Sequence, residues 1–126
     1  MESGQQIALS GISGSGKTTL LNLIAGILQS DEGQIKLSGR SMSGASESVR
    51  DRLRAQMVGY IFQTFNLLQG YTCIENVLLG MSFGGSFDKD RAVELLGHVG
   101  LTQRMDYYPR QLSSVQQQRV DDARAM

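Results

Sequence analysis

The chain has 126 residues, 40% of them hydrophobic and 19% charged; this is enough to bury a core, and no apolar run approaches the ~18 residues of a membrane span, so the pattern is that of one soluble domain. Twelve basic residues balance twelve acidic ones with no basic stripe among aromatics, which argues against nucleic acid as a partner and requires any anionic ligand to be held locally. The single cysteine, Cys73, cannot close an internal disulfide, and Met1-Glu2-Ser3-Gly4 lacks the basic and apolar regions of a signal peptide, so a reducing, cytoplasmic setting is expected.

In chain order, Gln6 to Ser10 reads as a short buried strand. The next eight residues, Gly11-Ile12-Ser13-Gly14-Ser15-Gly16-Lys17-Thr18, match G-x-x-x-x-G-K-[ST]. They lie between the apolar run Ile7-Ala8-Leu9 and a leucine-rich helical run, the context a phosphate-binding loop requires. Glycines let the backbone wrap a phosphate chain with its N–H groups inward, and the helix adds its positive end. Lys17 would reach the β/γ-phosphates and the Thr18 hydroxyl would ligate Mg²⁺. At a glycine usage of about 7%, a chance match is expected roughly once in a few hundred such chains, so a plain Gly/Ser-rich turn is the weaker reading.

The spacing predicts a helix from Lys17 to about Gly26, with Leu20, Leu21, Leu23 and Ile24 covering so much of its surface that it should be buried on more than one side. Ser30-Asp31-Glu32-Gly33 reads as a turn into an alternating strand, Gln34 to Leu37, ending at Ser38-Gly39. Arg40 to Ser48 looks like a surface loop. Glu47 to Gln56 carries a weak helical stripe, Val49, Leu53 and Met57, and Val58 to Phe62 reads as a second core strand. Strand, crossover and strand suggest a parallel sheet.

Beyond Phe62 the chain is mainly helical, with helix-like runs at Cys73 to Met81 and Lys89 to Val99 separated by the glycine-rich segment Gly80 to Gly85. Cys73 reads as a small, partly buried helix residue rather than a reactive thiol, having no histidine or cationic cluster near it in sequence. Pro109, the only proline, precedes Ser113, which forms an S-x-x-Q capping box with Gln116 at the start of a last helix. Internal repeats, low-complexity tracts and an obvious linker are absent from the sequence.

Three segments, Gly11 to Thr19, Tyr60 to Leu68 and Gln111 to Val120, resemble in order and spacing the nucleotide-binding subunit of an ABC transporter over nearly the whole chain. Phe62 to Leu68 and Thr72 to Val77 most resemble ATPases of the lipoprotein-release and macrolide-export type. The implied fold is α/β: an incomplete P-loop NTPase core over residues 1–64, with a helical lobe and a degenerate signature helix over 65–126. The resemblance assigns Gly11, Ser13, Gly14, Ser15, Gly16, Lys17, Thr18 and Thr19 to the phosphates of ATP, and Thr18 with Gln63 to Mg²⁺. It makes Lys17 and Gln63 the catalytic members present. Gln63 would be the Q-loop glutamine at the hinge between core and lobe, supplying an amide oxygen to the metal or the attacking water; read alone, it is a polar residue at a strand end. The family's lobe, here about Asn66 to Gln111, docks on membrane subunits, which implies a partner-facing role for Phe65, Leu67, Leu68 and Tyr71. Local core packing is the alternative for those four.

The departures from the family pattern are specific. The signature Leu-Ser-Gly-Gly-Gln is here Leu112-Ser113-Ser114-Val115-Gln116, and Val115 sets two methyl groups where glycine permits close approach to a phosphate. Ser113 can still cap its helix. Asp121 and Asp122 replace small or apolar residues; Asp122 shares a helical stripe with Val115 and Met126, a face expected to be wet because burying a lone carboxylate there would cost several kcal/mol. His98, the only histidine, matches no switch position and reads as a surface or packing residue.

The chain stops at Met126, before the family's Mg²⁺-ordering aspartate, the glutamate that polarises water and the switch histidine, and it starts after the aromatic that stacks on adenine. Phosphoryl transfer needs an oriented nucleophile as well as a cradle, so ATP hydrolysis by this chain alone is not expected. The expectation is a truncated transport ATPase module that binds ATP, with Ser114, Val115, Asp121 and Asp122 lowering exposed apolar surface or disabling dimer contacts. The alternative is a non-catalytic interaction module that docks a membrane subunit or an intact ATPase. A small P-loop kinase is the weakest reading, since no second charged cluster suggests an acceptor site. Unpaired strand edges predict a homo-oligomer or domain swap, at the inner face of the membrane if the module is docked there.

Overall fold

The structure is a computed structural model that describes residues 4–126; Met1 to Ser3, part of the segment weighed against a signal peptide, lie outside them. It comprises two compact units, Met1–Ser46 and Glu47–Met126.

In the first unit, helix α1 (Lys17–Ile24) starts directly behind the phosphate loop. It ends where the pattern predicts: Gly26 N–H donates to Leu23 O at 3.1 Å and Ile27 N–H to Asn22 O at 2.9 Å, the paired bonds of a Schellman ending. Further on, β1 (Lys36–Leu37) pairs antiparallel with β2 (Arg40–Ser41), Leu37 opposite Arg40. The two turn residues, Ser38 and Gly39, have φ of 45° and 80°, as a type I′ hairpin turn demands. Ala25 and Met42 are the buried apolar residues of this unit.

Two expectations fail here and a third fails in the second unit. Neither Gln6 to Ser10 nor Val58 to Phe62 forms a strand, and among the described residues the only sheet is the β1–β2 hairpin, so the parallel sheet is not found. A run of strand-like residues becomes a strand only when a ladder partner takes its N–H and C=O groups; Ile7 and Leu9 instead stand 56% and 45% exposed. Nor is α1 covered on more than one side. It has no buried residue, and Leu20 and Leu21 are close to half exposed, because periodicity marks which surface is apolar and not what packs on it.

The second unit is helical, with α2 (Glu47–Met57), α3 (Cys73–Phe83), α4 (Lys89–His98) and α5 (Ser114–Ala125), and short 3₁₀ turns at Thr102–Arg104 and Pro109–Gln111. Each of the last three helices has a side-chain cap. Thr72 and Glu75 form a capping box on α3, Asp88 Oδ1 accepts from Arg91 N–H at 2.9 Å on α4, and Ser113 and Gln116 form the expected box on α5. The core lies where α3, α4 and α5 meet: Cys73 and Val77 from α3, Ala92 and Leu96 from α4, Val120 and Ala123 from α5, each 0–1% exposed.

Buried Asn76 fastens the segment ahead of α3. Its Oδ1 accepts from Leu68 N–H at 2.8 Å, and its Nδ2 donates to the carbonyls of Leu68, Tyr71 and Thr72 at 3.2, 3.1 and 2.9 Å. The four apolar residues weighed as partner-facing divide accordingly: Leu67 is core and Phe65 packs against it, while Leu68 and Tyr71 stand 41% and 46% exposed.

Candidate functional site

The phosphate loop is organised around its own lysine. Lys17 Nζ donates to the Gly11 and Ile12 carbonyls, both at 2.7 Å, and to Ser15 Oγ at 3.2 Å, so all three ammonium donors are engaged within the loop. Gly14 and Gly16 have φ of 80° and 85°, and a Cβ at either would meet nothing within 4 Å; what the sites demand is the left-handed backbone that glycine adopts freely. Gly16 is also the N-cap of α1 and offers no side chain to its first turn, which leaves that positive end open to an anion.

The geometry thus brings Gly11, Ile12, Ser15 and Lys17 together, with Thr18 and Thr19 following on the first turn of α1. All loop residues but half-buried Lys17 are exposed. The arrangement fits a polyphosphate: a cation poised over a glycine-shaped backbone at an uncapped helix start. Mg²⁺ on a nucleotide keeps several waters and takes one or two protein oxygens besides phosphates, a demand that the Thr18 hydroxyl can meet. The described residues hold no group of three or more His, Cys, Asp or Glu side chains that could hold a metal ion. Gln63, the other residue assigned to the metal, is exposed and belongs to the second compact unit.

The segment around Gln63 lies along α5. Gly59 approaches so near that a Cβ there would collide with the Ala125 carbonyl, and Arg124 Nη1 donates to Asn66 O at 2.6 Å. Arg124 Nη2 in turn pairs with Asp121 Oδ1. Asp121 is 0% exposed and its Oδ2 has no hydrogen-bond partner. Burial pushes its carboxyl above the usual range, against the opposing pull of Arg124 and the Phe62 amide.

This corrects one expectation. Asp122 is half-buried, on the stripe of exposed Val115 and Met126 (64% and 72%), and its Oδ1 accepts from Gln118 Nε2 at 2.9 Å. Asp121 cannot lower exposed apolar surface, because it points inward with Val120 and Ala123. The i,i+3 spacing of Asp121 and Arg124 was the available signal for their pairing; the burial was not legible.

At the signature position, Ser113 accepts from Gln116 N–H at 3.3 Å and its own N–H donates to Gln116 Oε1 at 3.0 Å, so its hydroxyl oxygen caps α5. His98 is exposed in the last turn of α4. Cys73 is fully rather than partly buried, with its thiol donating to Tyr107 O at 3.2 Å and its pKa raised by burial, the opposite of what thiolate chemistry needs. A cavity of about 660 Å³ opens within the second unit near Met57, Tyr60, Phe62, Met81 and Phe83; no residue of the phosphate loop lines it.

Comparison with known proteins gives the same direction. The family described as ABC transporter matches residues 1–126. The lipoprotein-releasing system ATP-binding protein LolD of Saccharophagus degradans is 38% identical over 100% of this chain and 57% of its own. Methionine import ATP-binding protein MetN 1 of Rhodococcus jostii is 47% identical over 98% of this chain and 37% of its own, and ABC transporter H family member 2 of Dictyostelium discoideum is 41% identical over 98% and 25%. The chain therefore spans between a quarter and somewhat over half the length of these relatives. Among solved structures, the dimeric structure of MJ0796, a bacterial ABC transporter cassette, superimposes with a TM-score of 0.83 at 34% identity, covering 91% of this chain and 53% of the other. A second structure of that cassette, in a post-hydrolysis state bound to ADP and Pi, gives the same values.

Proposed function

Since the chain belongs to the ABC transporter family and has the P-loop α/β fold of its cassettes, we propose that it binds ATP with Mg²⁺ through Gly11, Ser13, Gly14, Ser15, Gly16, Lys17, Thr18 and Thr19, as the nucleotide-binding part of a transport ATPase. The observation that supports this most directly is the Lys17 ammonium, held by two backbone carbonyls at 2.7 Å over the loop. Its third bond, to Ser15 Oγ at 3.2 Å, is the longest and the one a phosphate oxygen would replace. Backbone amides of the loop and first turn would take further oxygens, and Thr18 would contribute its hydroxyl to the metal. Bound nucleotide supplies the phosphoryl group whose transfer the family couples to transport. By family likeness Gln63 would be the Q-loop glutamine, and the helical lobe would dock on membrane subunits.

Calorimetric titration with ATP and Mg²⁺ tests the reading. Saturable heat is expected, and Lys17→Ala should weaken binding by about 10- to 100-fold, the worth of a charge-assisted hydrogen bond. No heat from the unmodified chain would favour the docking module instead. No helix among the described residues is long and apolar enough to cross a membrane, so we place the module at the inner face of the membrane only through docking.

A further inference from the structure

The phosphate site uses neither Asp121 nor Arg124, yet these two side chains join α5 to the segment that carries Gln63. Arg124 reaches it between two elements. Its Cγ passes so close to Gly80 of α3 that a Cβ there would stand 2.6 Å away, and its guanidinium then forks, one nitrogen to Asn66 O at 2.6 Å and the other to Asp121. Gly59 meets the Ala125 carbonyl just upstream. The segment that bears Gln63 is thus fastened to α5 on both sides, while Gln63 itself is exposed and Thr64 beside it likewise.

We propose that Asp121 is a positioning residue for Gln63: by fixing the Arg124 guanidinium, it ties segment 62–66 to the C-terminal end of α5. An arginine fork is planar and serves two acceptors only if one of them sets its plane. Remove the carboxylate and the guanidinium, on a side chain that is 19% exposed, can turn toward water and release the Asn66 carbonyl. That the positioned residue serves nucleotide rests on the function proposed above; the fastening itself does not.

The test is a nitroxide label on Thr64→Cys in the full chain, with the unmodified chain as control for buried Cys73. In Asp121→Ala the label should tumble faster by at least about twofold, with the melting temperature unchanged or raised. Asp121→Asn, which keeps an acceptor for Arg124, should restore the slow tumbling. Arg124→Lys, which keeps charge and stem and loses the fork, should loosen the label as Asp121→Ala does. Label mobility that is indifferent to Asp121→Ala and to Arg124→Lys overturns the proposal, and so does a loss confined to variants whose melting temperature falls in parallel. Adding ATP and Mg²⁺ should slow the label only where the fastening is intact. Calorimetry on the same samples separates the two readings: absent heat sinks nucleotide binding, while label mobility without nucleotide still decides the fastening.

Discussion

Two neighbouring aspartates show how far apart identical side chains can be placed. Asp122 is half-buried beside a hydrogen bond from Gln118, while Asp121 is enclosed with a raised pKa whose largest cause is burial. A carboxyl that binds its proton more readily in the folded state than in the unfolded chain favours folding fully below the unfolded value. That contribution is lost as pH rises through the folded value. The sign predicts that Asp121→Asn, which cannot ionise, melts close to the unmodified chain near about pH 4 and gains on it toward about pH 7. Thermal melts of both across that range check this, and an advantage that shrinks with pH would contradict it. Glu75 works in the opposite sense: hydrogen bonds from Thr72 lower its pKa, so its contribution is present above the unfolded value and lost on acidification. Using the difference between two variants cancels that background.

At the scale of elements, the helices of the second unit are specified largely by their ends. Ser113 and Gln116 satisfy each other's backbone amides at the start of α5, and Ser113→Ala should cost about 1 kcal/mol of stability, read from denaturant midpoints. Because the hydroxyl serves the cap, the same change should leave ATP binding in calorimetry unaltered; a loss of affinity without a loss of stability would show that Ser113 touches nucleotide. The Ser113–Gln116 capping box and the Gly26 stop were legible in sequence because a cap is chemistry within four residues. Helix α1 was legible in extent and not in coverage, since its leucines announce an apolar surface without saying what packs on it.

For the whole molecule, the buried cluster runs from Leu67 to Ala123, entirely inside the second unit. Residues 47–126 expressed alone should therefore fold, with helical circular dichroism and a cooperative melt; a chain without a sharp transition would show that the first unit is required. The first unit leaves Ile7, Ile12, Leu20 and Leu21 between 45% and 83% exposed. Apolar surface of that kind favours association. Light scattering after size-exclusion chromatography should accordingly give a mass near twice 13.8 kDa, and a clean monomer with ATP present would count against it.

The phosphate loop, the helix ends and the family were determined by residue order alone, because glycine backbone freedom, a lysine six residues from the carbonyl it binds, and side-chain caps act over a few positions. The tertiary structure decided which apolar residues are core, which of two aspartates is enclosed, and that the runs at 6–10 and 58–62 form no strand among the described residues. Burial and ladder pairing are properties of what arrives from distant parts of the chain, and no local pattern encodes the identity of that neighbour. Arg124 illustrates the divide: its spacing from Asp121 was readable, whereas its bond to Asn66, 58 residues away, existed only once the helices had packed.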